Sequence, residues 1–130
     1  MSGEKMDNFE IKDSGERTKF DSGMVRDTAL GKIDFTLAID GPMFTRWARH
    51  LTRACVNPDG TPSKYPPRNW MLASGDAELS RFRVSAFRHF LSWLAGERDE
   101  DHAAAIFFNV NGAEYVAEKL SQGTKQAPEV

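Results

Sequence analysis

The chain has 130 residues and a formal net charge of −2, with 40% hydrophobic and 11% aromatic side chains. This length and apolar content predict one compact domain with a single core. The absence of a basic excess argues against a dedicated nucleic-acid binder. The lone cysteine, Cys55, cannot close an intramolecular disulfide, and no apolar run approaches the roughly 20 residues of a membrane span. We therefore expect a protein of a reducing, cytoplasmic compartment that has neither nucleic acid nor membrane as a partner.

The two ends of the chain differ in composition from the middle. Residues 1–21 are polar and charged without a central apolar block, which predicts a flexible arm rather than a secretory signal. Residues 121–130 carry Gly123 and Pro128 and little that can pack, which predicts a flexible tail. The folded domain is expected over residues 22–120, where no segment alternates convincingly as a strand.

Three helical segments follow one another in the folded domain. Apolar residues from Phe44 to Cys55 recur at helical spacing behind Pro42, which predicts a first helix over 42–56. Four prolines predict a long irregular loop over 57–76. A second helix is expected over 77–94, ended by Gly96, and a third over 99–120 with acids in its first turn. We expect an all-α fold. The second helix carries two adjacent apolar stripes, which is more apolar surface than one chain can bury, so we expect a second copy of the chain to cover the rest.

The connection between the last two helices concentrates acidic side chains. Glu97, Asp99, Glu100 and Asp101 precede His102 within six positions. Composition alone favours a solvated turn whose acids cap a helix. The alternative is an oxygen-rich site for Mg²⁺ or Mn²⁺, since these cations take carboxylate ligands.

Further polar residues interrupt apolar surfaces or gather in the long loop. His102 and Asn109 lie on the apolar face of the third helix, where each is either a satisfied core residue or faces a ligand. Arg88 and His89 lie in the second half of the second helix. Helix geometry allows His89 to point toward the acidic turn. The loop combines two cations, an amide and two aromatic rings, which suit phosphates and a base, or simply pin the loop: Lys64, Tyr65, Arg68, Asn69 and Trp70.

These segments together resemble a known family. The order Ser22-Gly23-x-x-Arg26-Asp27, Lys64-Tyr65, Arg68-Asn69-Trp70, Arg88-His89, Gly96-Glu97, Asp101-His102 and Asn109 is similar to that of the phage dATP/dGTP diphosphohydrolases. That family is a branch of the all-α, MazG-like pyrophosphohydrolases and includes the MazZ enzymes. The resemblance covers about residues 22–120.

The resemblance implies a fold and an activity. It implies a MazG-like helical bundle completed by formation of a homodimer or homotetramer, with Mg²⁺ or Mn²⁺ bound by acids. The implied reaction splits a purine deoxynucleoside triphosphate between its α- and β-phosphates, with dGTP giving dGMP for synthesis of 2-aminoadenine nucleotides in a phage. Alternatives are dATP or several dNTPs as substrate, or a non-enzymatic helical phage protein that binds a host partner.

The hypothesis assigns residues to three roles. The metal ligands are Glu97, Asp99, Glu100 and Asp101. The catalytic residues are Glu97, Glu100, Asp101 and His89. The substrate is bound by Arg26, Lys32, Lys64, Arg68, Asn69, Trp70, Arg88, His102 and Asn109, where the cations hold phosphates and Trp70 offers a stacking face.

Overall fold

A computed structural model describes residues 9–126, with side chains described as far as residue 123. The elements are β1 (Arg17–Lys19), β2 (Val25–Asp27), α1 (Met43–Cys55), α2 (Asp76–Leu94) and α3 (His102–Gln126). Two short 3₁₀ helices, Phe35–Ile39 and Asn69–Leu72, precede α1 and α2. The chain divides into two compact units at residue 35.

The first unit contains a short β-hairpin. β1 and β2 pair antiparallel, with Thr18 opposite Arg26. The turn is closed by Gly23, which has a φ of 93° and donates its N–H to the Phe20 carbonyl at 2.8 Å. β1 lies within the segment predicted as an arm. The sequence did not indicate the hairpin, because strands of three residues are too short to show an alternating pattern.

The three predicted helices are confirmed, with different ends for α3. The Asp101 carboxylate accepts the N–H of Ala104 at 3.1 Å, so α3 begins at His102 and the three acids precede the helix instead of forming its first turn. α3 continues through Gly123 to Gln126, beyond the predicted end at Leu120. A glycine in a helix costs only about 1 kcal/mol, so it does not by itself end one.

α3 is the central element of the second unit. α2 runs antiparallel to it, since Phe82 contacts Gly112 near the start of α2 and His89 contacts His102 further along. The ring of Trp47 of α1 packs in a T-shaped arrangement with that of Phe107 of α3, with centroids 6.1 Å apart. The buried apolar side chains of α3 are small: Ala104, Ala105, Ala113 and Val116. Small residues let the helices approach closely, and a Cβ at Gly112 would lie 2.5 Å from the Phe82 ring.

The described part of the chain is mostly helical, which confirms the predicted class at that level. None of its helices has the length and the apolar character that crossing a membrane requires.

Candidate functional site

One candidate site lies in the connection between α2 and α3. Gly96, with a φ of 77°, ends α2 in the left-handed conformation that was predicted, and the Glu97 N–H returns to the Ser92 carbonyl at 3.0 Å. This turn places one ligand atom from each of Glu97, Asp99 and His102 within 4.8 Å of the others. The two acids are exposed, whereas His102 is only 5% exposed. We call these three residues the acid–histidine cluster.

The chemistry of the cluster fits a divalent metal ion. Two carboxylates and one imidazole form a mixed oxygen and nitrogen donor set, and mixed sets suit first-row ions such as Mn²⁺ better than Mg²⁺, which prefers oxygen. A histidine ligand usually has its second ring nitrogen held by a hydrogen bond. His102 meets this condition, because one of its nitrogens lies 2.9 Å from the Nδ1 atom of His89.

The hydrogen bonds of the cluster connect two histidines with Asp99. The Nε2 atom of His102 lies 2.8 Å from Oδ1 of Asp99, and this bond holds the pKa of the Asp99 carboxyl below its usual value. A metal ion on Nε2 of His102 requires that nitrogen to be free of its proton, and Nδ1 of His102 then donates to Nδ1 of His89.

All three histidines of the chain gather around the acidic turn, one from each helix. Burial lowers the pKa of His89, and the nearby Glu100 opposes that shift. Burial also lowers the pKa of His50 of α1, opposed by Asp101 and Glu100, and its ring lies 5.6 Å from that of Phe108. Sequence reasoning did not select His50. A signal was present, since His50 follows Arg46 by one helical turn and both side chains lie on the face toward α3.

Asp101 has other partners in the structure. Arg46 donates to both of its carboxylate oxygens, at 2.6 and 2.9 Å, and this ion pair lowers the pKa of Asp101 to about 2. Since Asp101 also accepts the Ala104 N–H, its carboxylate joins α1 to α3 and caps α3. The acid–histidine cluster thus contains Glu97 and Asp99 from the predicted ligand set, adds His102, and does not include Glu100 or Asp101.

A second candidate site is a cavity of about 740 Å³ between α1, the loop before α2, and the helices α2 and α3. Its lining is mainly apolar, and its volume is in the range of small-molecule pockets. Four of the predicted substrate-binding residues line this cavity together: Arg68, Asn69, Trp70 and Asn109. Arg81, Ser85 and Cys55, which are not among the predicted site residues, also line it.

The wall of the cavity that carries Trp70 is anchored to α3. The Trp70 ring meets Tyr115 edge-on at 5.1 Å, and Lys119 donates to the carbonyls of Met71 and Ala73 at 2.9 and 3.0 Å. Arg68 has a φ of 62°, a left-handed conformation that side chains other than glycine rarely adopt. Such strain is commonly found where a side chain must be held in one direction.

Four other predicted substrate-binding residues are not among the residues that line the cavity. Arg26 and Lys32 belong to the first unit, where Lys32 pairs with Asp27 at 3.2 Å. Lys64 and Arg88 are exposed and do not line the cavity.

The cluster and the cavity share one face of α3. His102 and Asn109 are seven residues apart, which in a helix is about two turns, or about 10.5 Å along the axis with nearly the same direction. Both side chains are buried, and one amide hydrogen of Asn109 is donated to the Ala105 carbonyl at 2.8 Å. The two sites are therefore separated by about two turns of α3.

Comparison with protein-family models, with characterised proteins and with solved structures finds no significant match to this chain. A functional assignment therefore depends on the chemistry of the two sites.

Proposed function

We propose that the chain is a metal-dependent pyrophosphohydrolase that converts a purine deoxynucleoside triphosphate, dGTP in the first place, into the monophosphate and pyrophosphate. The observation that carries the proposal is the pair of sites on one face of α3. A buried histidine with two acids can hold a divalent ion, and a cavity with aromatic, amide and guanidinium groups lies about 10.5 Å further along. A nucleoside triphosphate has the same order of groups, with an anionic end and a flat aromatic end.

The nucleoside end fits the cavity. A purine is apolar on its faces and polar at its edge, so it matches a mainly apolar lining that offers two amides, Asn69 and Asn109. Trp70 supplies an aromatic wall, and its contact with Tyr115 holds the ring in place. Arg68 provides a cation for phosphate oxygens, and no carboxylate of the described residues forms an ion pair with it.

The triphosphate end fits the acid–histidine cluster. Glu97, Asp99 and His102 would hold Mn²⁺ or Mg²⁺, which neutralises phosphate charge and lowers the pKa of water. Hydrolysis between the α- and β-phosphates consumes one water molecule, breaks the bond to the bridging oxygen and releases pyrophosphate. A base must take up the proton of that water. Glu100, exposed beside the cluster, is the proposed base, while His89 holds the ring of His102.

The assay for this proposal is direct. Purified protein is incubated with each of the four dNTPs and Mn²⁺ or Mg²⁺, and the nucleotide products and pyrophosphate are quantified. We expect monophosphate and pyrophosphate in equal amounts, with purine substrates preferred and dGTP fastest. A faster reaction with dATP, or similar rates with all four dNTPs, would revise the proposed substrate and leave the proposed reaction unchanged.

A matched pair of variants tests the metal ligands. Glu97→Gln removes a ligand charge, so we expect turnover to fall by about 100-fold or more at saturating metal. Glu118→Gln makes the same change on an exposed residue of α3 and should retain the activity of the parent protein. Absence of turnover with every dNTP, or full activity of Glu97→Gln, would contradict the proposal.

A binding function without catalysis is the second candidate, and the observation that favours it is the exposed apolar surface of α2. Phe87 and Leu94 are 62% and 69% exposed, which is unusual for large apolar side chains on a helix. Under this alternative the protein docks on a host partner and needs neither nucleotide nor metal. The proposed enzyme also assembles as a homodimer or homotetramer, which would use the same surface.

A further inference from the structure

The end of the cavity farther from the acid–histidine cluster carries an arginine of α2. Phe82 contacts α3 at Gly112, which lies three residues farther from the cluster than Asn109, or about 4.5 Å along the axis. Arg81 precedes Phe82, and both residues line the cavity. In the proposed substrate the triphosphate lies on the side of the cluster, so the base lies at this far end. Arg81 is then placed beside the base and not beside the phosphates.

The guanidinium of Arg81 lies on a cavity wall without an anionic partner. Arg81 lines the main cavity and also a second cavity at the start of α2, as does Trp70. No carboxylate in the described part of the chain forms an ion pair with Arg81. The acid nearest to it in sequence, Glu78, instead accepts the N–H groups of Ser74 and Gly75 at 2.8 and 3.0 Å. A guanidinium has only donors, so a ligand that contacts it must offer acceptors.

Asn109 offers an acceptor on the same cavity. The residue is only 7% exposed, and its Nδ2 atom donates to the Ala105 carbonyl at 2.8 Å. This bond fixes the orientation of the amide, because an oxygen in place of Nδ2 would repel the carbonyl oxygen. Among the described residues, the Oδ1 atom of Asn109 has no hydrogen-bond partner. A ligand that fills the cavity is therefore expected to bring a donor to this atom.

The two side chains together distinguish the two purines. Guanine presents N7 and O6 as neighbouring acceptors, and the next position on its edge, N1, carries a hydrogen. The fork of Arg81 can donate to N7 and O6 while Oδ1 of Asn109 accepts from N1, since their levels along α3 differ by only about 4.5 Å. Adenine has an amino group in place of O6 and an acceptor at N1. It would set a donor against Arg81 and an acceptor against Asn109, and both contacts are unfavourable.

We propose that Arg81 is the residue that selects guanine over adenine, by donating to N7 and O6 of the base, and that Asn109 accepts the N1 hydrogen. The proposal rests on the nucleoside site of the proposed function and does not depend on hydrolysis. It assigns the base to a residue of α2 that had no role in the predicted site.

The first experiment measures the affinity for monophosphates by calorimetry without metal. The parent chain should bind dGMP about tenfold or more tightly than dAMP. Arg81→Met should weaken dGMP binding by about tenfold or more without weakening dAMP binding. Arg81 is exposed, so circular dichroism should show unchanged helix content. Arg83→Met removes another exposed arginine of α2 that lines a different groove, and it should keep both affinities of the parent.

The second experiment identifies the atoms in contact. 7-Deaza-dGMP has a C–H group in place of N7, so the parent chain should bind it about fivefold or more weakly than dGMP. In Arg81→Met the two ligands should bind equally, because the donor to N7 is already absent. 1-Methyl-dGMP lacks the N1 hydrogen and should bind weakly to both proteins, since each loses the contact with Asn109.

Several results would overturn the proposal. These are a parent chain that binds neither monophosphate or binds both alike, unchanged dGMP affinity in Arg81→Met, and a 7-deaza effect that persists in this variant. Equal losses of dGMP and dAMP affinity in Arg81→Met would indicate a phosphate contact and would also overturn it. Base selection by Arg81 without turnover of any dNTP would remove the proposed reaction and keep this inference. Turnover of dGTP together with any of the overturning results would do the reverse.

Discussion

We predict that the backbone conformation of Arg68 lowers the stability of the fold, and that its side chain contributes to ligand binding. It lies at φ 62° and ψ 24° immediately before the 3₁₀ helix Asn69–Leu72, and its side chain lines the cavity. A side chain with a Cβ costs about 1 to 2 kcal/mol in this left-handed conformation, whereas glycine adopts it freely. Glycine also gives the unfolded chain more freedom, which returns about 0.4 to 1 kcal/mol.

Two substitutions at residue 68 separate the effect of the backbone strain from the effect of the guanidinium charge. Arg68→Gly removes both the strain and the charge, so we expect it to be more stable than the parent by about 0.5 to 1 kcal/mol. Arg68→Ala removes the charge and keeps the strain, so its stability should stay close to that of the parent. Both variants would lose the proposed hydrogen bond between the guanidinium and a nucleotide phosphate, so each should bind nucleotide about tenfold or more weakly.

The assays are urea denaturation followed by circular dichroism, and titration calorimetry with a nucleotide in the absence of metal. Equal stability of the glycine and alanine variants would show that residue 68 carries no strain. Unchanged nucleotide affinity in both variants would remove Arg68 from the binding site, even if the difference in stability were found.

Three further predictions concern the contacts of α3. The pKa of Asp101 is lowered to about 2 by Arg46, so the pair stabilises the folded chain above about pH 4 and loses that effect as the pH falls toward about 2. A double-mutant cycle of Arg46→Met and Asp101→Asn should show favourable coupling at pH 7 that declines over this interval, and zero coupling at pH 7 would contradict it. Gly112→Ala should cost about 1 to 3 kcal/mol in urea denaturation, because the new Cβ meets the Phe82 ring at 2.5 Å, and Phe82→Leu should recover part of the loss. Lys119→Met removes two hydrogen bonds to loop carbonyls, so hydrogen exchange of amides 69–73 should become faster while that of α2 stays unchanged.

The helices were predictable because their signals are local. Apolar spacing, Pro42 before α1 and Gly96 after α2 each act within a few residues, and the structure has helices at those positions. The hairpin was not predictable in the same way, since its strands are short and exposed. The start of α3 depended on one carboxylate, because Asp101 caps the helix instead of lying inside it.

Partners distant in sequence could not be predicted from spacing. Arg46 and Asp101 are 55 residues apart, and their pairing depends on how α1 packs against α3. This ion pair sets Asp101 apart from the neighbouring acids, from which composition alone cannot distinguish it. His102 was predicted as a substrate contact because it lies on the apolar face of a helix, whereas its position beside Asp99 and Glu97 gives it the environment of a metal ligand.

The spacing of His102 and Asn109 along α3 places the two candidate sites on one face of that helix. Seven residues return a helix to nearly the same face, so both side chains project from α3 in the same direction, one toward the acidic turn and one toward the cavity. The small residues of α3 let neighbouring helices approach close enough to enclose both positions. A single insertion between the two residues would rotate Asn109 by about 100° and separate the sites. The one-residue insertion should therefore weaken nucleotide binding while leaving Mn²⁺ binding at His102 in place, which calorimetry with metal and with nucleotide can distinguish.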